Sequence, residues 1–181
     1  QAAPPDRIHL LQRTLKKHGR FIVKQVPDTL PYKYAKLMYN AAISPLAAIS
    51  GLDNAALLTI PKARRLFFRF LKENYSILKQ AGIPLGTIGP FHPDTVHRIL
   101  RTPLLARCMS PVFARTMRGT YCSMSGDIER GQTEIDSFNG HLLTVAGPHP
   151  CPLNDRACAL VHRMADEGIP PSIERLEDLN R

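Results

Sequence analysis

A polar stripe on an otherwise apolar helix is the first feature of this sequence that could do chemistry. Residues 34–50 read YAKLMYNAAISPLAAIS, with apolar side chains recurring at helical spacing. Lys36, Asn40 and Ser44 are spaced four residues apart, which places all three on one face of the predicted helix. Their neighbours are small or apolar, and buried polar groups are costly unless they are paired. The stripe therefore indicates a lined pocket or, alternatively, a lysine that reaches solvent beside two hydrogen-bonded core residues.

A second polar segment, residues 121–140, reads YCSMSGDIERGQTEIDSFNG. Thr133 is predicted to cap a helix there, with Asp136 completing a capping box. Glu134 then lies in the first turn of that helix, where the helix dipole favours its negative charge. By itself this pattern explains Glu134 as a structural residue.

Taken together, the two segments resemble the C-terminal domain of the ketopantoate reductase (2-dehydropantoate 2-reductase) family. The resemblance covers the chain from about Arg20 to about Pro171, and its motifs are specific in order and spacing. The matching residues are Lys36-Leu-Met-Tyr-Asn40-Ala-Ala-Ile-Ser44-Pro45-Leu46, Asn54, Ser123-Met-Ser-Gly-Asp127-Ile and Thr133-Glu134-Ile-Asp136-x-x-Asn139-Gly140.

The resemblance implies reduction of a 2-oxo acid by NADP(H), with 2-dehydropantoate as substrate and pantothenate (coenzyme A) biosynthesis as the pathway. Lys36 matches the family's general acid, which protonates the developing oxyanion. Glu134 matches its acidic partner, and we assign it to both the catalytic and the cofactor-binding residues. The resemblance assigns substrate binding to Asn40, Ser44, Asn54 and Ser123. Neutral donors suit this role because they bind an anion without burying a second charge.

Two positions depart from the family pattern. Ser44 stands where the family often has Asn, and a hydroxyl is shorter and offers one donor fewer. The stretch from Asp127 to Glu134 is about one residue shorter than in typical members. Both departures leave a different branched 2-oxo acid open as the substrate.

The N-terminal part predicts a helix over residues 5–18 and a strand over 20–26. The resemblance identifies this pair as the end of a Rossmann nucleotide-binding domain, so we divide the chain into 1–30, its tail and hinge, and 31–181, a helical substrate-binding domain. No G-x-G-x-x-G motif follows a strand and opens a helix. NADP binding is therefore expected to need a Rossmann domain absent from this chain, and the chain alone is expected to be inactive.

The remainder predicts an all-α fold, a multi-helix bundle of six to eight helices like the C-terminal domain of 6-phosphogluconate dehydrogenase-like reductases. After the helix over 32–50, the predicted helices cover 62–81, 93–101, 103–117, 133–146 and 153–167. One or two further turns are expected at the C-terminus. The apolar faces of the N-terminal helix and strand lack a sheet to pack against, so we also expect a homo-oligomer, such as a dimer.

Composition restricts the classes of partner. The chain carries 24 Lys and Arg against 15 Asp and Glu, a net charge of +9, which raises a nucleic-acid-binding hypothesis. No nucleic-acid-binding motif accompanies the charge, and a basic enzyme that binds anionic substrates explains it equally well. No apolar run reaches the roughly 18 residues needed to span a bilayer, so no membrane partner is expected.

The four cysteines form no C-x-x-C pair and have no clustered histidines. We expect free thiols, a reducing cytoplasmic location and no metal site. The cysteines are Cys108, Cys122, Cys151 and Cys158.

Two hypotheses from other classes stand beside the reductase. One is a helical oligomerisation domain with a vestigial pocket, and the other is a basic nucleic-acid-binding domain. A vestigial pocket would be expected to lose some of its polar residues, whereas Lys36, Asn40, Ser123 and Glu134 are all present. The leading interpretation is the substrate-binding domain of an NADP-dependent 2-oxo acid reductase.

Overall fold

The computed structural model describes residues 5–17, 19 and 23–180, and within these ranges the regular structure is entirely helical. This confirms the predicted all-α class. The α-helices are α1 (Pro5–Lys17), α2 (Leu30–Ser50), α3 (Asn54–Thr59), α4 (Pro61–Gln80), α5 (Pro93–Leu100), α6 (Pro103–Thr116), α7 (Ser123–Asp127), α8 (His141–Ala146) and α9 (Pro152–Glu167). Two 3₁₀ segments, Ile128–Arg130 and Ile173–Asn180, and a π-helical turn, Asp136–Gly140, complete the set.

The strand predicted over 20–26 needs correction. Residues 23–26 have no regular secondary structure, and residues 20–22 lie outside the described part of the chain. A strand needs a neighbour to receive its backbone hydrogen bonds. The described residues offer none, because no other segment among them is extended into a sheet.

Helix α2 is the central element of the bundle. It packs against α4, α7, α9 and the last 3₁₀ segment, and its second half is almost wholly buried. The helix continues through Pro45, which has no N–H to donate to the carbonyl four residues earlier. The side-chain amide Nδ2 of Asn139 donates to that Ala41 carbonyl instead, at 2.8 Å.

Helix α4 forms the second wall of the core. Its apolar side chains recur at helical spacing and are buried against α2, α3 and α8. The buried apolar residues of α4 are Ala63, Leu66, Phe67, Phe70, Leu71, Ile77 and Leu78. Besides α4, α2 contacts the segments that carry the other motif residues, through the backbone carbonyls of Ala41 and Ser44.

Candidate functional site

The polar stripe of α2 runs from solvent into the core. Lys36 is exposed, Asn40 is half-buried and Ser44 is buried at 5% exposure. The lysine therefore reaches water at the open end of the stripe, as the alternative interpretation of the sequence allowed. Accessibility therefore decreases along the stripe, from the exposed cation of Lys36 to the two less accessible neutral groups.

The buried end of the stripe meets α7. The thiol of Cys122 donates to the backbone carbonyl of Ser44, with 3.6 Å between sulfur and oxygen. Ser123 is the first residue of α7, and α7 packs against α2. The backbone of Ser123 is thereby held one residue from a direct contact with the stripe.

Asn54 begins α3 and is tied to the segment that precedes α7. Its backbone N–H donates to the carbonyl of Thr120 at 3.0 Å, and its side-chain Nδ2 donates to Thr120 Oγ1 at 3.1 Å. Beside it, the carboxylate of Asp53 accepts hydrogen bonds from the backbone N–H of Ala56 at 2.7 Å and of Gly119 at 3.1 Å. These two backbone bonds hold the pKa of Asp53 below its ordinary value.

The Oδ1 atom of Asn54 is buried and accepts no hydrogen bond from any described residue. A buried acceptor of this kind normally has a donor, because a buried oxygen without a hydrogen bond costs free energy. Its side chain is already fixed by Thr120 through Nδ2. Asn54 Oδ1 is thus an acceptor whose hydrogen-bonding capacity is unused among the described residues.

Glu134 is exposed and lies immediately before the helical segment that starts at Ile135. Its backbone carbonyl accepts from the N–H of Ser137 at 3.0 Å. The predicted capping box is wrong, because the Asp136 carboxylate pairs with the ring of His162 on α9 at 3.1 Å. Thr133 Oγ1 does accept a backbone bond, from Ile135 N–H at 3.1 Å.

Contacts to α2 bring these segments together along one helix. The π-helical turn reaches α2 through the bond from Asn139 to Ala41, and α7 reaches it through the bond from Cys122 to Ser44. Near the open end, the rings of Tyr34 and His141 stack with centroids 6.2 Å apart. Helix α7, which begins at Ser123, and the π-helical turn that follows Glu134 therefore both border the helix that carries Lys36.

The loop after α4 contains three glycines, Gly82, Gly86 and Gly89. In the loop after α4, Gly86 serves packing, since a β-carbon added there would lie 2.7 Å from the Tyr32 ring, whereas Gly82 and Gly89 adopt positive φ angles of 69° and 79°. No strand–turn–helix occurs in the described ranges, and such a unit is what cradles a pyrophosphate. Among the same residues there is no group of three or more metal-ligating side chains and no helix long and apolar enough to cross a bilayer.

Comparison with known families identifies the fold. A family model described as "Ketopantoate reductase PanE/ApbA C terminal" matches residues 28–165. The chain belongs to this family. A curated relative, the 2-dehydropantoate 2-reductase of Aquifex aeolicus (strain VF5), is 26% identical over 116 residues, which cover 64% of this chain and 34% of the relative.

A solved structure agrees at the level of fold. The crystal structure of a PanE/ApbA family ketopantoate reductase from Ralstonia eutropha JMP134 superposes with a TM-score of 0.63 at 22% identity, over 87% of this chain and 48% of that one. The chain thus spans about a third to a half of the length of these relatives.

A network of hydrogen-bonded, buried asparagines connects the helices of this ketopantoate reductase C-terminal domain. The sequence analysis did not predict this network. Asn74, Asn139 and Asn154 are each 0% exposed. Asn139 Nδ2 donates to Asn154 Oδ1 at 2.8 Å, and Asn154 Nδ2 donates to Asn74 Oδ1 at 2.8 Å. Asn74 Nδ2 in turn donates to the Met38 carbonyl at 3.0 Å. The network joins α4, α9 and the π-helical turn to α2.

Glu73 closes the network at the start of α9. Its carboxylate accepts from the backbone N–H groups of Leu153 and Asn154 at 3.0 and 2.9 Å, and from Asn154 Nδ2 at 2.9 Å. A carboxylate at a helix N-terminus satisfies unpaired N–H groups and complements the helix dipole. The sequence held one signal for this network: Pro45 leaves the Ala41 carbonyl in need of a donor from elsewhere.

Proposed function

We propose that this chain is the substrate-binding part of an NADP-dependent reductase that converts 2-dehydropantoate to pantoate in pantothenate biosynthesis. The observation that carries the proposal is the packing of α7 and the π-helical turn on the helix of Lys36, since Ser123 begins α7 and Glu134 lies two residues before the π-helical turn. Asn54 joins them through Thr120, three residues before α7.

In this proposal Lys36 is the proton donor. Reduction of the ketone carbon places negative charge on its oxygen, and a positioned ammonium group neutralises that charge. Lys36 is exposed, so its flexible side chain can reach a substrate bound at the open end of the stripe. Glu134, also exposed, is proposed to contact the substrate and the cofactor. NADPH, bound by a separate nucleotide-binding domain, would supply the hydride.

Neutral groups hold the substrate in the same proposal. Asn40 and Ser123 are assigned to its polar ends, and the buried Oδ1 of Asn54 accepts from a substrate hydroxyl. Ser44 is buried behind them and limits the depth of the site. The free thiols suit a reducing compartment, so we propose a cytoplasmic location.

The test is an NADPH-oxidation assay on the full natural polypeptide that contains this chain, with 2-dehydropantoate as substrate. Lys36→Ala is expected to lower kcat about 10²–10⁴-fold, the range for loss of a general acid. Lys33→Ala, an exposed lysine on the same helix, is the matched control and should retain activity. A Lys36→Ala protein as active as the control would reject the proposed role.

A related substrate is the second candidate, and Ser44 is the observation that favours it, because the family often has Asn there. The same assay with 3,3-dimethyl-2-oxobutanoate, which lacks the terminal hydroxyl, separates the two. A site that binds the hydroxyl rejects the analogue by about 10⁴–10⁵ in kcat/KM. Equal or better turnover of the analogue would identify a different branched 2-oxo acid as the substrate.

A further inference from the structure

An apolar cavity of about 320 Å³ lies between α4, α5, α6 and the loop before α5. Tyr39 and Ile43 of α2 and Leu58 of α3 complete its wall, and none of the three polar-stripe residues lines it. None of its lining residues is charged, and the hydroxyl of Ser110 is already bonded to the Ala106 carbonyl at 2.7 Å. Its volume falls within the range of about 300–1,000 Å³ that small-molecule sites occupy. The larger side chains in its wall include Phe67, Phe68, Ile99, Leu100, Met109 and Phe113.

A second hollow, of about 380 Å³, adjoins the first and is strongly basic. Helix α4 contributes four cations and α6 a fifth, and the lining contains no acidic residue. Within the described part of the chain none of these five forms an ion pair. The five cations are Arg64, Arg65, Arg69, Lys72 and Arg107. Like charges gathered without a counter-charge repel one another, so an anion is the favourable occupant.

The two hollows share a wall. Phe68 and Leu100 line both of them, and α4 and α6 contribute apolar residues to one and cations to the other. An apolar space and a cationic one therefore lie side by side along the same pair of helices. A ligand that satisfies both must have an apolar part and an anionic part a short distance apart.

We infer that these two hollows form one binding site for a soluble single-chain amphiphile, with an apolar tail of several carbons and a phosphate or carboxylate head. The tail occupies the apolar cavity, where its burial is favourable in proportion to the area removed from water. The head lies among the arginines, whose planar guanidinium groups bind such oxyanions with paired hydrogen bonds. None of the residues assigned to the proposed reductase site lines either hollow, so this inference stands independently of the reductase function.

Calorimetric titration of the chain with four probes tests the inference. Octyl phosphate, kept below its micelle concentration, is expected to bind at least about tenfold more tightly than either inorganic phosphate or octyl glucoside. Binding of octyl phosphate no tighter than inorganic phosphate would leave only non-specific anion binding, and binding no tighter than octyl glucoside would leave only an apolar cavity. Binding to anionic vesicles without binding of the monomer would indicate a membrane surface. Each of these three results would overturn the inference.

Variants separate the two halves of the site. Arg65→Gln combined with Arg107→Gln should weaken octyl phosphate binding about tenfold and leave octyl glucoside binding unchanged. Arg115→Gln, which removes an exposed charge from the same helix α6 outside the hollow, should change neither. Loss of binding in the Arg115 variant equal to that in the double variant would overturn the inference.

Filling the cavity tests its apolar half. Met109→Trp should weaken octyl phosphate and octyl glucoside binding alike, with the thermal unfolding transition measured to verify the fold. Ile88→Phe, on the half-buried loop wall, provides the same test from a different element. Unchanged octyl phosphate binding in a folded variant of either kind would contradict the placement of the tail.

Discussion

The side chain of Asn139 is hydrogen-bonded to two helices, α2 and α9. Its Nδ2 is bonded to both the Ala41 carbonyl and Asn154 Oδ1, each at 2.8 Å and each fully buried. Ala41 needs this donor because Pro45 has no N–H to offer. The side chain of Asn139 therefore compensates for a proline in the middle of the helix that carries the proposed site.

We expect Asn139→Ala to lower the free energy of unfolding by about 1–3 kcal/mol or more, since it leaves buried acceptors unpaired. Pro45→Ala restores an N–H for the Ala41 carbonyl, so the same Asn139 substitution should cost less in that background. Urea denaturation of the two single variants and the double variant measures the coupling, expected at about 0.5–3 kcal/mol for residues in one network. Strict additivity would show that the Asn139 bond and the proline are unrelated.

Cys158 offers a second test at the residue scale. Burial raises the pKa of its thiol to about 11, whereas an unfolded cysteine ionises near about 8.5. The folded state therefore holds the neutral thiol, and its stability should fall as the pH rises from about 8.5 towards 11. The free energy of unfolding is measured against pH for the unaltered protein and for Cys158→Ala. The variant should lack this slope. An identical slope in the variant would place its origin elsewhere.

At the scale of elements, the junction of α3 and the segment before α7 determines where Asn54 lies. Asp53 caps α3 through Ala56 N–H and reaches across to Gly119 N–H. The next residue, Asn54, repeats the link through Thr120. Two consecutive residues therefore hold the short helix α3 against the segment that precedes Ser123.

Asp53→Ala should cost about 0.5–2 kcal/mol of stability, the usual effect of losing a helix cap. The pKa of Asp53 is lowered in the folded state, so the carboxylate stabilises the fold above its ordinary pKa. That advantage should be complete above about pH 4 and lost as the pH falls through the lowered folded-state pKa. Urea denaturation of the unaltered protein and of Asp53→Ala at several acidic pH values measures this difference in stability. Asp166→Ala, which removes an exposed carboxylate, is the control. A difference that persists at the lowest pH would contradict the role of the charge.

Long helices were predictable from the sequence because their apolar period and their Pro and Gly boundaries are local signals. The observed α2, α4 and α9 begin and end within about two residues of the predicted positions. Helices α3 and α7 have six and five residues, too few for a period to emerge. Asp136 was misassigned because its partner, His162, is 26 residues away. The asparagine network likewise depends on packing between helices, which no local pattern encodes.

At the scale of the whole molecule, the N-terminal helix presents apolar surface to solvent. Leu10 and Leu11 are 65% and 59% exposed. These adjacent leucines are apolar surface that association with a second copy would remove from water. The division of the chain at residue 30, and its association with a second copy, remain our predictions.

Light scattering over a range of protein concentrations should therefore show concentration-dependent association of the chain. Replacing both Leu10 and Leu11 with Ser should shift the equilibrium towards the monomer, because less apolar area is then available for burial. Leu104→Ser, which changes a leucine 72% exposed on α6, is the matched control. A monodisperse monomer at every concentration would contradict the prediction.

The central claim is that Lys36, Asn40, Asn54, Ser123 and Glu134 bind one 2-oxo or 2-hydroxy acid. The most direct measurement is a titration of the isotope-labelled chain with pantoate, followed by amide resonances in NMR spectra. We expect saturable shifts at these residues and their loss in Lys36→Ala, while resonances of Arg64, Arg65 and Arg107 stay in place. No shift at millimolar pantoate, or shifts confined to the basic hollow, would contradict the account.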